Sequence, residues 1–424
     1  MGTEQRDYEI LPIVLESGKN SRIRIRPLGK HAAFAEDADY LVRFLPMDES
    51  AEPAGEDAYP GVQVKPEGGC LRFEHVFEGE QEYYIRVFRL PERAVVGTFS
   101  VYAVEEDLYL RNPYRGDFHT HTFRSDGAQD PAVVAANYRK SGFDFTTITD
   151  HHKWAPSEEA IRDYRGVPID LKIFHGEEVH GFDNHIHMIN FGGEYSVNEL
   201  FEKDRERYFS EVRGIEAGLS VPEDVNAFEV ASCVWITRRI REAHGLSIFC
   251  HPFWIADVYH VPLRMVDFLF RIWPFDAFEL IGGHEAESNN LQTAYYSQAR
   301  SRGRTVPVVG SSDAHSDTVY FNWFSTIVFA EKMDVASVSG AVKDLYSVAV
   351  EQYPGEFPRV YGPYRMVKFA LFLLRAYFPA HAGLCFEEGR LMKEFACGDG
   401  PAAEALGRLR GRTEAFLKRC YGRA

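Results

Sequence analysis

From residue 1 to about 112 the chain alternates between apolar and polar positions. Arg22-Ile23-Arg24-Ile25-Arg26 puts isoleucines on one face and arginines on the other, the period-two pattern of a half-buried strand. Residues 40–45, 71–73, 83–88 and 97–104 are similar runs. Stretches rich in Gly, Pro, Asp and Glu, such as 48–55, separate them. Short strands punctuated by turns predict a β-sandwich-like domain over residues 1–112. His31 and His75 are lone histidines that read as surface or core residues, and no set of residues in this part looks catalytic. A structural role, covering one side of the rest, is the expectation for it.

Residues 109–115, with Asn112-Pro113 as a turn, read as a linker. From Gly116 the pattern changes. Apolar runs of strand length (143–149, 171–174, 246–250, 275–281, 306–310 and 325–330, the last strand expected) alternate with helical segments. Asp130-Pro131 is an N-cap followed by proline in the first turn, predicting a helix to Lys140 that Ser141-Gly142 ends. Another helix is expected over 290–302, and 194–244 reads as a mostly helical insertion. Repeated strand–helix units predict a parallel α/β architecture over residues 113–335. Residues 336–424 form a predicted helical C-terminal extension. Its 366–378 segment is apolar but broken by Lys368 and Arg375, which predicts a packing or dimer helix and leaves a homo-oligomer open. The locally basic 408–423 tail reads as a solvated helix face.

Composition narrows the function classes. With 45% hydrophobic and 26% charged residues the 424-residue chain has the make-up of a soluble globular protein. A net charge of −16 argues against a general binder of long nucleic acid. Six scattered cysteines without CxxC pairs suit a reducing compartment. Residues 1–11 carry no secretory pattern, Arg6 stands where myristoylation needs Ser or Thr, and no apolar run reaches membrane-spanning length. A cytoplasmic location is the expectation.

The candidate chemistry lies at strand ends. If 117–121 is a strand, His119 and His121 share a face, with Asp126 on the loop beyond. Asp150, His151 and His152 follow the next strand. Glu177 or Glu178, His185 or His187, His251, and Asp313 with His315 end later ones. Six such clusters favour a barrel over an open sheet. Mixed imidazole and carboxylate ligands suit zinc, manganese or iron over calcium. Such ions acidify a bound water and neutralise an anionic substrate, a combination that fits phosphoester hydrolysis.

Residues 116 to about 330 resemble the polymerase-and-histidinol-phosphatase (PHP) superfamily of metal-dependent phosphoesterases. The resemblance rests on Asp117-Phe118-His119-Thr120-His121-Thr122 with Ser125-Asp126-Gly127, Ile148-Thr149-Asp150-His151, Gly176-Glu177-Glu178-Val179, Ile186-His187-Met188, Cys250-His251-Pro252 and Gly310-Ser311-Ser312-Asp313-Ala314-His315. It implies a distorted (β/α)7-type barrel with two or three divalent ions. The ligands it implies are His119, His121, Asp126, His151, Glu178, His187, His251, Asp313 and His315. Asp150 and His152 become catalytic candidates in the second shell or facing substrate. The family often has an Arg soon after His-Pro, where this chain has Phe253-Trp254. Arg124 and Lys153 are the replacement candidates for holding phosphate.

The expected activity is hydrolysis of a small phosphate monoester, a phosphorylated metabolite, by a metal-activated hydroxide. The alternatives are a phosphodiesterase or exonuclease on nucleotides or short oligonucleotides, and a metal-stabilised binding protein.

Overall fold

The computed structural model describes residues 7–48, 56–283, 285–318 and 321–423. The readings of residues 1–6, with Gly2 and Arg6, and of 49–55 in the expected turn lie outside the described residues. The chain forms two compact units: Met1–Asn112 with Lys368–His381 and Gly411–Ala424, and Pro113–Val367 with Ala382–Arg410.

In the first unit the strands are β1 (Tyr8–Leu11), β2 (Val14–Glu16), β3 (Asn20–Pro27), β4 (Tyr40–Pro46), β5 (Gly61–Val64), β6 (Leu71–Val76), β7 (Gln81–Arg89) and β8 (Ala94–Val104). They build one sheet in the order β1-β3-β6 and another in the order β2-β8-β7-β4-β5. The alternation read from the sequence is realised: Ile23, Ile25, Val42, Phe44, Ile85 and Val87 are buried. Phe44 of β4 packs 5.7 Å from Phe73 of β6 and stacks at 3.8 Å on His75, so His75 is a packing residue.

The second unit contains β9 (Asn112–Asp117), β10 (Phe145–Thr147), β11 (Lys172–Phe174), β12 (Gly176–His180), β13 (His187–Phe191), β14 (Leu246–Phe249), β15 (Ala277–Ile281), β16 (Val308–Gly310), β17 (Phe324–Ala330), β18 (Ser347–Glu351) and β19 (Arg359–Tyr361). They form two sheets, β11-β10-β9-β17-β18-β19 and β12-β13-β14-β15-β16. Two isolated parallel bridges, Thr120↔Ala314 and His151↔Glu178, join one sheet to the other at the strand ends. Helices Pro131–Lys140, Ala155–Asp163, Asn198–Lys203, Arg205–Glu216, Ala227–Glu242, Leu263–Ile272, Ala286–Ser301, Val335–Lys343 and Ala402–Leu409 also belong to this mixed α/β unit.

Four expectations are corrected. The sheets are not uniformly parallel: β12, β13 and β14 run antiparallel, as do β17, β18 and β19. The connection between β12 and β13 is too short for a helical crossover, so the second strand must return beside the first. The 109–115 linker is occupied by the end of a helix, Glu106–Tyr109, and the start of β9. Residues 325–330 are not in the last strand, because β18 and β19 follow. Finally, 117–121 is not one strand. β9 stops at Asp117, whose carboxylate accepts the His119 and Ser312 amides at 3.0 and 3.1 Å and so draws the backbone out of the ladder.

Capping is local and legible. Asp130 accepts the Ala132 amide at 2.9 Å ahead of Pro131, and Asn226 accepts the Phe228 and Glu229 amides. Helix Phe378–Ala396 approaches helix Pro131–Lys140 so closely at Gly389 that a Cβ there would lie 2.1 Å from the Lys140 nitrogen. No single helix among the described residues is long and apolar enough to cross a membrane. One bent pair, Tyr364–Ala376 with Phe378–Ala396, meets that test only when the two are taken together.

Candidate metal centre

Glu178 stands at the middle. Its β12 carboxylate is fully buried and faces His119 and His121 at 3.6 Å, His151 at 2.5 Å, His180 at 3.4 Å, His187 at 2.9 Å and His251 at 3.1 Å. The neighbouring Glu177 points the other way, because strand side chains alternate. It accepts hydrogen bonds from Asn190, Ser196 and Asn198 side chains and the Val197 amide, and so anchors the turn into the helical insertion. His185, the other alternative to His187, is 84% exposed and bonds Glu229 at 2.9 Å.

Around Glu178 the remaining expected ligands divide into groups. His119, His121 and Glu178 present ligand atoms within 4.8 Å of one another, as do His121, Asp126, His151 and His315. Asp313 lies 3.2 Å from His119 and 2.9 Å from His121. Asp126 reaches His151 at 3.4 Å and His315 at 3.3 Å. The loop carrying it is held tight: Gly127 donates to the Thr122 carbonyl at 2.9 Å, and a Cβ at this glycine would collide with His121 backbone at 2.7 Å. His251 and Asp313 both adopt positive φ, +30° and +47°, backbone strain concentrated at the ligand loops.

The donor set fits divalent ions. His119 and His121 turn their Nε2 atoms toward each other at 3.1 Å, Glu178 Oε2 and His187 Nδ1 are buried without a hydrogen bond, and several nitrogens converge on each position. Burial disfavours charge on His151, but the adjoining Glu178 carboxylate outweighs it and holds its pKa up to about 9. His119 and His251 are pushed up in the same way by the buried carboxylates, against their own burial. Burial alone would raise the Glu178 carboxyl. The surrounding imidazoles, His187 foremost, bring it well below the usual carboxylate range.

The catalytic and substrate candidates are placed as follows. Asp150 is buried and accepts the Thr122 amide at 2.9 Å, Thr122 Oγ1 at 2.8 Å, the Ser125 amide at 3.0 Å and Ser125 Oγ at 2.6 Å, so it fixes the loop between His121 and Asp126. His152 is exposed, at φ +60°, with its ring 4.4 Å from that of His180. Arg124 is held by Glu159 at 2.8 and 2.6 Å, and Lys153 donates to the Arg124 carbonyl, so both cations have protein partners. Phe253 is buried and packs against Tyr259 and Tyr295.

Three residues at this centre escaped the sequence reading. Glu279 of β15 is fully buried, and its Oε2 accepts from His119 Nδ1 at 3.0 Å, which leaves Nε2 to face the centre. A carboxylate inside the apolar run Ala277-Phe278-Glu279-Leu280-Ile281 was the available signal. His180 follows Glu178 by two on the same strand face and contacts His151 at 3.0 Å. His260 joins His187 and His251 in a further group of ligand atoms within 4.8 Å.

No protein-family model and no curated protein matches the sequence. Among solved structures the chain is similar to a two-domain protein of Bacteroides vulgatus containing a predicted PHP-like metal-dependent phosphoesterase. The identity is 14% and the TM-score 0.39, over 57% of this chain and 66% of that one, just under two thirds of its length. It is also similar to an amidohydrolase of Chromobacterium violaceum determined with sulfate and no metal. There the identity is 18% and the TM-score 0.33, over 48% of this chain and 88% of that one.

Proposed function

We propose that the chain is a metal-dependent phosphoesterase of the PHP type whose second unit is a distorted (β/α)7-type barrel. Its substrate on this reading is a small phosphate monoester, a phosphorylated metabolite. The observation that carries this is the crowding of six imidazoles around the buried carboxylate of Glu178, with Asp126 and Asp313 on its flanks. A purely structural cluster of this composition would crowd imidazoles together around a few carboxylates, whereas divalent cations take up their lone pairs.

His119, His121, Asp126, His151, Glu178, His187, His251, Asp313 and His315 would hold two or three zinc, manganese or iron ions. Bound ions of this kind supply Lewis acidity toward phosphoryl oxygens and acidify water. The protein's own residues orient the site. Glu279 fixes the His119 tautomer, and the Asp313 carbonyl, 2.9 Å from His315 Nδ1, accepts from it and leaves Nε2 facing Asp126. Asp150 holds the Thr122–Ser125 turn and so sets the position of Asp126. The buried walls of β12 to β16 limit water to the strand-end face. On this reading His152, exposed beside the cluster, would act as a neutral proton acceptor, since partial burial and the neighbouring His180 push its pKa down to about 4.

The test is turnover of an aryl phosphate monoester and its diester by chelator-treated protein refilled with zinc, manganese or iron. Metal-restored cleavage of the monoester supports the proposal. Cleavage of the diester alone transfers it to phosphodiester chemistry. No cleavage of either, with metal demonstrably bound and a phosphorylated-metabolite panel also inert, sinks it.

A further inference from the structure

The nine expected ligands leave His260 unassigned, although the fold brings it to the centre. After His251-Pro252 the chain makes a small hairpin. The His260 amide donates to the Trp254 carbonyl at 2.7 Å, the Val261 amide to Pro252 at 2.9 Å, and Ile255 bridges Tyr259 antiparallel. The hairpin tip faces solvent, with Val258 76% and Tyr259 41% exposed. Its returning arm turns His260 inward, half-buried, with its ring 4.4 Å from His187 and 5.3 Å from His251. Trp254 lies 5.4 Å away on the outgoing arm and limits the directions the imidazole can take.

His187, His251 and His260 each offer a nitrogen within 4.8 Å of the others. Glu178 Oε1 sits 2.9 Å from His187 and 3.1 Å from His251, on one side of that group. Three imidazoles and one carboxylate make a nitrogen-rich set for a zinc-like ion. The other groups are poorer in nitrogen or more exposed. His121, Asp126, His151 and His315 include a carboxylate that is 53% exposed.

Resting on the metal-centre reading above, we propose that His260 is a metal ligand. With His187, His251 and Glu178 it forms a distinct three-histidine, one-carboxylate position for a divalent first-row ion. The hairpin between residues 252 and 261 supplies an imidazole to that ion.

The experiment is a cobalt(II) titration of the full-length, chelator-treated chain, read by visible absorption and by bound metal per chain. The expected result is that His260→Ala weakens one equivalent by at least the about 10–100-fold that losing an outer-shell partner costs. Free imidazole should restore it. His260→Cys should keep that equivalent and add a thiolate-to-cobalt charge-transfer band, a signature that a packing role for His260 cannot produce. Tyr259→Ala, on the same hairpin, and His185→Ala, outside the cluster, should titrate as the parent does. A His260→Ala chain that titrates like the parent, or a His260→Cys chain without the new band, overturns the assignment of His260. A parent chain that takes up no cobalt removes the metal-centre reading itself, a separate result.

Discussion

The second unit buries two polar regions that solve the same problem in opposite ways. In one, Arg139 is fully buried on helix Pro131–Lys140. It donates to Glu388 at 2.8 and 2.7 Å and to the Phe143 carbonyl at 3.0 Å. Glu388 uses its other oxygen to accept the Asp170 amide at 2.6 Å, and Asp144 lies 3.6 Å from the guanidinium. Charges and hydrogen-bond donors are matched, so the knot is complete as protein alone. In the other, Glu178 faces six imidazoles, two nitrogens meet at 3.1 Å and buried ligand atoms make no hydrogen bond. A closed network holds helices together. An overcrowded one is arranged for a cation that the chain itself does not supply.

The sharpest way to break this comparison is to remove ligands. His119→Ala and Asp313→Ala should each take metal-dependent turnover to background and lower bound metal per chain, with far-ultraviolet circular dichroism unchanged. Full turnover in either variant would contradict the reading of the centre. The closed knot should respond in the reverse sense. Arg139→Ala leaves Glu388 buried without its counter-charge and should cost about 3–5 kcal/mol in urea unfolding. Turnover per folded molecule should stay near the parent value, and a stability unchanged from the parent would show the knot to be dispensable.

Glu279→Gln tests the link between a ligand and its support. It keeps the volume but weakens the hold on His119 Nδ1, and should lower metal affinity about 10–100-fold while shifting the melting temperature little. Loss of stability without loss of affinity would make Glu279 a core residue only.

The pH dependence is subtler. His151 is held up to about 9, above the about 6.5 of an unfolded histidine. In the metal-free chain its contribution to stability is therefore fully present below about pH 6.5 and is lost as pH rises through about 9. Metal competes with that proton, so apparent affinity should climb between about pH 7 and 9, with proton release on loading. Flat metal affinity across this window would mean that His151 is not a ligand. The smallest effect is expected at Arg124, which Glu159 already holds. Arg124→Ala should change KM for a phosphate monoester by less than about threefold, the level at which an exposed ion pair counts for little. A large rise in KM would restore it as a phosphate anchor.

Local chemistry made much of this legible. Period-two alternation found β3, β4, β6, β7 and β8, because one face of each is buried. Asp130-Pro131 marked a helix start, because Asp accepts an otherwise unpaired amide. The H-x-H pair, Asp150-His151, His187, His251 and Ser-Asp-Ala-His sit at or just beyond strand ends, as expected, whereas Glu178 lies in the middle of β12. What escaped depends on partners distant in the chain. The motif pointed to Glu178 rather than Glu177, and strand pleat and the Ser196–Asn198 turn supply the physical reason for which faces inward. Glu279 acquires its role from His119, 160 positions earlier. His260 reaches the centre only because a hairpin folds it back onto His187.

The sequence by itself determined which histidines and carboxylates were the candidates and, for most of them, that they lie at or just beyond strand ends, since side-chain type and periodicity are local properties. The tertiary structure decided the rest: the antiparallel return of β13, the split of the strands into two sheets, the closed Arg139–Glu388 knot and the convergence of the histidines on one carboxylate. These depend on which segments pair across long stretches of chain, where hydrogen-bond geometry and the burial of charge select among arrangements that the local pattern leaves equivalent.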